Sequence, residues 1–421
     1  MLFVSVSLLF SALVFGSTAF ASFSFGNAGA VYFLTNDPSG NKVVSVNIGS
    51  NGLLGPSVKG FSTGGHGLHG ITTPPPQAAD AIFSQGSIAI NSKAKLLAAV
   101  NPGSNSVSLF RINPEDPTQL TLVGRPAPSA GEFPVSVAIN SKATHACVLN
   151  GGKVNGISCF TIHPVFGLIP QPNTVRFLKR NQTTPANGPM NALSQVIFSP
   201  DDSRVIAAVK GFPTAPGMSP SQYTFRFLAT WTVSPDGSLS SEFVKSTPAS
   251  GGALPFSLTP IPGSNAYLAT DPAIGVDIFD FGGTDGRSAS LEATASVTAV
   301  PGEVALCWST FSTKSGNFYT VDTGTNLVTE VHVDKDLKAS LVKQYQLAGT
   351  SGVLDGEVAT IGSNDFLYVL SANEASIDVL SVNIPANAKI VQAFGFTSAA
   401  EKAGVTFTNI NIQGLATFIK A

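Results

Sequence analysis

Hydrophobic and polar positions alternate in short bursts along this chain, with no long stretch at the 3.6-residue period of an amphipathic helix. The bursts keep a fixed order. A first strand, small and apolar, recurs at 86–90 (Gly-Ser-Ile-Ala-Ile), 135–139, 194–198, 255–259, 303–308, 357–361 and 413–418. A second and more hydrophobic strand follows each of the first six copies, at 96–100, 146–149, 205–209, 266–270, 318–321 and 366–370. Turns rich in Asn, Ser, Asp and Gly separate the two, as residues that favour tight reversals should. A polar loop and a third, alternating strand come next, as at 106–110 and 327–331, the pattern of a half-buried strand. Only 398–403 hints at a helix.

A strand unit repeated in this way can bury its faces only on its neighbours. The pattern predicts an all-β, seven-bladed β-propeller with four-stranded blades, the small first strands taking the crowded innermost position. The two ends of the pattern interlock. A second-type strand at 30–34 opens it without a first strand before it, and 413–418 closes it without a second strand after it. The last strand is therefore expected to complete the first blade, which removes two open sheet edges.

Composition fits this picture. Charged residues are 11% of the chain, Gly and Pro are abundant, and Phe (29) far outnumbers Met (3), which suits many short buried strands with tight turns. A formal net charge of -2 gives no electrostatic reason for a nucleic-acid or membrane partner. Residues 2–15 form an uncharged, largely apolar run, followed by the small-x-small tripeptide Ala19-Phe20-Ala21. We read 1–21 as a secretory signal and 22–421 as a single, monomeric propeller domain. The expected location is extracellular or cell-wall.

Secretion changes the reading of the three cysteines. Cys147 and Cys159 flank a Gly- and Asn-rich turn centred on Lys153, so a hairpin there sets them opposite each other and predicts a disulfide. Cys307, in an inner strand beside Trp308, should stay a buried free thiol. Asn181-Gln182-Thr183 is a glycosylation sequon in a polar loop.

The strand–turn–strand unit with Ser199-Pro200-Asp201 at its turn resembles the lactonase-type seven-bladed propellers. It is most similar to the fungal 3-carboxymuconate cyclase-like secreted and cell-wall proteins, whose relatives include 6-phosphogluconolactonase. The resemblance implies a small-molecule or glycan ligand at the central channel. Catalytic members of the group carry His and Arg near the ring centre, one such His lying ahead of the inner strand that leads to the Ser-Pro-Asp turn. Here that segment, 189–195, has neither residue type, so no catalytic position of the family carries over.

Motif matches elsewhere lack the structure that gives them meaning. Gly60-Phe61-Ser62-Thr63-Gly64 has the letters of a nucleophile elbow but no helix behind it. Gly65-His66-Gly67-Leu68-His69-Gly70 has those of a dinucleotide loop but runs into Pro74-Pro75-Pro76. His66 and His69 do lie in a loop leading to an inner strand, where imidazoles can bind a ligand or act as bases. Glu132, Glu303, Asp355 and Glu357 precede inner strands, where carboxylates can orient hydroxyls or take protons. Asn191, Gln195 and Gln413 share that position and suit a hydroxyl-rich ligand. His69, Glu303 and Glu357 are thus the candidate catalytic groups, and His66, Asn191, Gln195, Asp355 and Gln413 the candidate ligand contacts. No metal site and no cofactor is expected. The expected function is a catalytically degenerate ligand-binding propeller, with a lactone hydrolase or cycloisomerase as the alternative.

Overall fold

A computed structural model describes residues 26–215, 218–219, 222–283, 290–349 and 352–420. The proposed signal segment 1–21 lies outside the described residues. The chain is all-β apart from one short 3-10 turn at Pro102–Ser104 and one helix, Thr397–Lys402, among the described residues. Seven antiparallel sheets form the blades of a ring. Gln413–Ile419 pairs with Gly29–Leu34 and supplies the inner strand of blade one, so the last strand closes the circle.

The inner strands of blades two to seven are Ile88–Asn91, Pro134–Ile139, Leu193–Phe198, Leu258–Pro260, Leu306–Ser312 and Val353–Ile361. Two begin about a turn later than the sequence pattern indicates. The reason is side-chain capping. In blade five Asp271 accepts the backbone N–H groups of Ala253 (2.5 Å) and Leu254 (2.9 Å). In blade six Asp322 accepts those of Val304 (2.8 Å) and Ala305 (3.0 Å). These apolar-looking stretches are thus approach loops held by carboxylates, not strands held by a ladder. The correction leaves Glu303 in the approach loop ahead of the inner strand.

Second strands carry the core. Gly29–Leu34, Arg204–Val209, Ala266–Asp271 and Asn317–Asp322 are buried at every residue, as strands sandwiched between adjacent blades must be. Each large side chain fully buried there stabilises the ring by roughly 1.5–3 kcal/mol. Inner strands show a recurring irregularity. The register slips near their start in blades one, three, four, six and seven. Such a bulge re-aims the side chains that follow it. In blade one it uses Gly414, whose φ of 75° favours glycine and where a Cβ would meet Ser87 Oγ at 2.1 Å.

Cys147 and Cys159 face each other in the register of blade three and form a disulfide with Cα atoms 4.0 Å apart. Cys307 is a buried free thiol.

Candidate functional site

The ring has two ends, one formed by the loops that lead into the inner strands and one by the tight hairpins that leave them. A strap of chain, Asp80-Ala81-Ile82-Phe83-Ser84-Gln85, crosses the ring axis at the loop end. Five residues from four blades pin it. Lys210 of blade four donates to the Phe83 carbonyl oxygen at 2.8 Å. Trp308 of blade six (3.1 Å) and Gln413 of blade one (3.2 Å) both donate to the Ser84 carbonyl oxygen. Ser84 Oγ donates to Val135 O of blade three at 2.7 Å. Gln85 makes a reciprocal pair with the backbone of Ser309, donating at 3.0 Å and accepting at 3.2 Å. Ala81, Ile82 and Phe83 are buried beneath these bonds.

Behind the strap the axis is a cavity of about 450 Å3. Inner-strand residues become more accessible toward the hairpin end. Asp355, Gln413 and Ser194 are buried, whereas Glu357, Thr417 and Ile197 are partly open. Ser92, Ser141 and Ser199-Pro200 rim the mouth. The channel is therefore a blind pocket that opens on the hairpin face.

Its walls come from alternate inner-strand positions, because side chains on a strand point to one side every second residue. Ile88 and Ile90, Val137 and Ile139, and Ile197 form the apolar part, while Gln195, Asp355, Glu357 and Thr417 form the polar part. Both deep carboxyls, two residues apart on blade seven, project into the same space. Glu357 has no hydrogen-bond partner among the described residues, and burial alone pushes its carboxyl up to about 7. Burial, together with the neighbouring Glu357, lifts Asp355 well above the usual carboxylate range, although it accepts the Leu415 N–H at 3.2 Å. Gln195 uses its carbonyl oxygen on the Leu258 N–H (2.5 Å), which leaves its amide N–H2 facing the pocket. Among the described lining residues there is no Lys, Arg or His.

The structure thus brings together Gln195, Asp355 and Glu357 of the residues singled out from sequence. Gln413 lies just behind them, holding the strap. The others lie apart. His66 Nδ1 contacts Pro38 O at 3.0 Å on the outer part of the loop face. His69 has both ring nitrogens on backbone carbonyls, Gly70 O at 2.7 Å and Ala78 O at 2.9 Å, and contributes to fixing its loop. Asn191 is engaged by Arg180 and donates to Asn181 O at 2.9 Å beside the sequon. Glu303 sits near Asp322 and Asp271 in the approach to blade six, where burial raises it to about 7.

Two functional groups escaped the sequence reading, Asp80 and Lys210. Burial lifts Asp80 to about 7, partly offset by Lys210 and a bond from Gln413. Burial lowers Lys210 to about 8. A signal for Lys210 exists. The residue that ends or directly follows each second strand, in blade order, is Thr35, Asn101, Asn150, Lys210, Asp271, Asp322 and Ser371, and six of these are short. Among the described residues no group of three His, Cys, Asp or Glu is placed to hold a metal ion.

No protein-family model matches the sequence, and no curated protein matches it. Solved structures do match. The periplasmic gluconolactonase of Pseudomonas aeruginosa superimposes with a TM-score of 0.62 at 14% identity, over 93% of this chain and 99% of that one. A candidate 6-phosphogluconolactonase from Bacteroides uniformis gives 0.56 at 14% identity over 86% and 100%. Another from Bacteroides fragilis gives 0.54 at 15% over 87% and 98%. At this identity the likeness is one of architecture, and this chain has a lactonase-type propeller fold.

Proposed function

We propose that this protein is a secreted, non-catalytic propeller that binds a small, polar, non-anionic ligand in its axial pocket through the hairpin face. One observation carries the reading. The pocket holds two closely spaced carboxyls, and among its described lining residues there is no cation. Phosphogluconolactone and carboxymuconate are anions. An anion entering a low-dielectric pocket beside Asp355 and Glu357 gains no counter-charge, and meets repulsion from Glu357 where that carboxyl ionises, near pH 7 and above. A polar ligand without negative charge instead meets a free amide, a hydroxyl and carboxyls against an apolar wall, the usual make-up of a small-molecule site. The disulfide, the 1–21 segment, the Asn181 sequon and the resemblance to fungal secreted cyclase-like proteins support an extracellular place for it.

A specific observation favours one alternative. Glu357, with its carboxyl near 7, is poised as a general base for hydrolysis of an uncharged lactone. One experiment separates the readings. The purified protein is incubated with uncharged sugars, uncharged sugar lactones, 6-phosphogluconolactone and carboxymuconate, with melting temperature and turnover both recorded. The binding reading expects stabilisation by uncharged compounds and no enzymatic turnover. Turnover of an uncharged lactone at about one per second or faster, lost in Glu357→Gln, establishes the alternative. Comparable turnover of either anion overturns both.

A further inference from the structure

We propose that the ligand of the axial pocket is a protonated amine carrying hydroxyl groups, an amino sugar or amino alcohol. The inference rests on the reading of the pocket as a ligand site and narrows what that site takes.

Three observations converge on this class. The first is charge. Asp355 and Glu357 lie two residues apart on one strand and face the same space, without a cation among the described residues that line it. Lys210, which does not line the pocket, is held at the strap, where its ammonium bonds Phe83 O and lies 4.4 Å from the centroid of the Phe256 ring. It is occupied with the strap and with Asp80. Glu357, without a hydrogen-bond partner among the described residues, is left to a ligand.

The second is an independent, unspent donor. Gln195 is only 7% exposed as a residue and lines the pocket from blade four. Its carbonyl oxygen is committed to Leu258, and its amide N–H groups, which have no acceptor among the described residues, are left to donate to a ligand. A hydroxyl oxygen supplies one, and an ammonium group alone does not. The ligand must therefore offer a cationic donor on the blade-seven side and an acceptor on the blade-four side.

The third is size and closure. A blind cavity of about 450 Å3 lies within the usual range for small-molecule sites. The strap shuts its inner end, so a polymer cannot thread the ring. The apolar wall of Ile90, Ile139 and Ile197 accommodates a carbon skeleton between the two polar ends.

Metal cations fit less well, because two carboxyls and an amide nitrogen do not make a closed coordination shell. The raised carboxyls agree with this assignment. An incoming ammonium favours the ionised form, so binding should release a proton below about pH 7.

The test is isothermal titration of the full protein with 1-amino-1-deoxysorbitol and with sorbitol, which differ only in the amine. Titrations run at pH 6.0, 7.0 and 8.0, on the natural protein and on Glu357→Gln, Glu357→Gln with Asp355→Asn, and Gln195→Leu. We expect the amine to bind at least tenfold more tightly than sorbitol at pH 8.0. Its affinity should fall toward pH 6.0, where Glu357 holds its proton, with proton release seen as a dependence of the heat on buffer. Glu357→Gln should weaken the preference, its combination with Asp355→Asn should erase both the preference and the pH dependence, and Gln195→Leu should weaken both compounds alike. Equal affinity for amine and sorbitol overturns the inference and leaves the pocket reading standing. Failure of the amine to bind at millimolar concentration also overturns the inference, and the pocket reading then depends on the uncharged ligands of the screen above. A preference that survives in the double variant lacking both carboxyls places the cation elsewhere and likewise overturns it.

Discussion

Lys210 donates from Nζ to the Phe83 carbonyl oxygen at 2.8 Å, and through this bond blade four holds the strap that closes one end of the channel. Both residues are almost fully buried. Replacing Lys210 with Met keeps the aliphatic stem and removes the donor, leaving a buried carbonyl unpaired at a cost of about 2 kcal/mol. Cys307, buried beside the same cluster, reports on the strap. Lys210→Met should lower the melting temperature and speed alkylation of Cys307 at least tenfold under native conditions. An unchanged melting temperature with an inert thiol would show that the strap does not depend on Lys210.

Acidity should stabilise this protein over part of the pH range. Asp80, Glu303 and Glu357 all stand near 7 in the folded state, raised mainly by burial. In the unfolded chain they titrate near 4. Between these values the folded protein holds protons that the unfolded chain has released, so stability falls as pH rises from about 4 to 7. Below that window the carboxyls lowered by hydrogen bonds, Asp201 and Asp365 among them, lose their contribution as they protonate. The melting temperature should peak near pH 4.5 to 5 and decline toward neutrality, with a shallower decline in Glu357→Gln. A melting temperature that rises from pH 5 to 7 would contradict the burial of these carboxyls.

The Cys147–Cys159 bridge spans a separation of 12 residues within one hairpin. Closing so short a loop stabilises by about 2–3 kcal/mol in the chain-entropy account. The double Cys147→Ser, Cys159→Ser variant should lose that amount in urea unfolding without loss of the fold. Peptide mapping under non-reducing conditions should recover the two cysteines in one linked peptide pair and Cys307 free.

Closure of the ring by Gln413–Ile419 should be indispensable. A chain ending at residue 412 loses the inner strand of blade one, the Gln413 bond to the strap and the Leu415 and Thr417 wall of the pocket. The exposed edge of Gly29–Leu34 then invites aggregation. Soluble, cooperatively melting protein from this truncation would refute the closure.

How much of this could be read from residue order alone follows from what each feature depends on. Blade count, ring closure and the Cys147–Cys159 pairing rest on repeats and local register, which the alternation of side chains records directly. The strap does not. Its pinning bonds join residues up to 329 positions apart, as with Gln413 and Ser84, and no local pattern encodes them. The His66 and His69 loop drew attention because imidazoles in loops leading to an inner strand can be catalytic. Its consequence lies instead a few residues later, where Asp80 to Gln85 cross the axis. Glu357 was visible as an acidic residue on an inner strand, but its isolation from any partner required the neighbouring blades to be in place. Lys210 was visible only by aligning strand ends, where one long cation stands among short caps.

The most direct test of the central claim is a crystal structure of the protein soaked with the ligand that stabilises it most. The account predicts density in the axial pocket, within hydrogen-bond distance of Glu357 and the Gln195 amide, reached from the hairpin face with the Lys210–Phe83 bond intact. Density on the loop face beside His66 and His69, or a displaced strap with the ligand in its position, would contradict it.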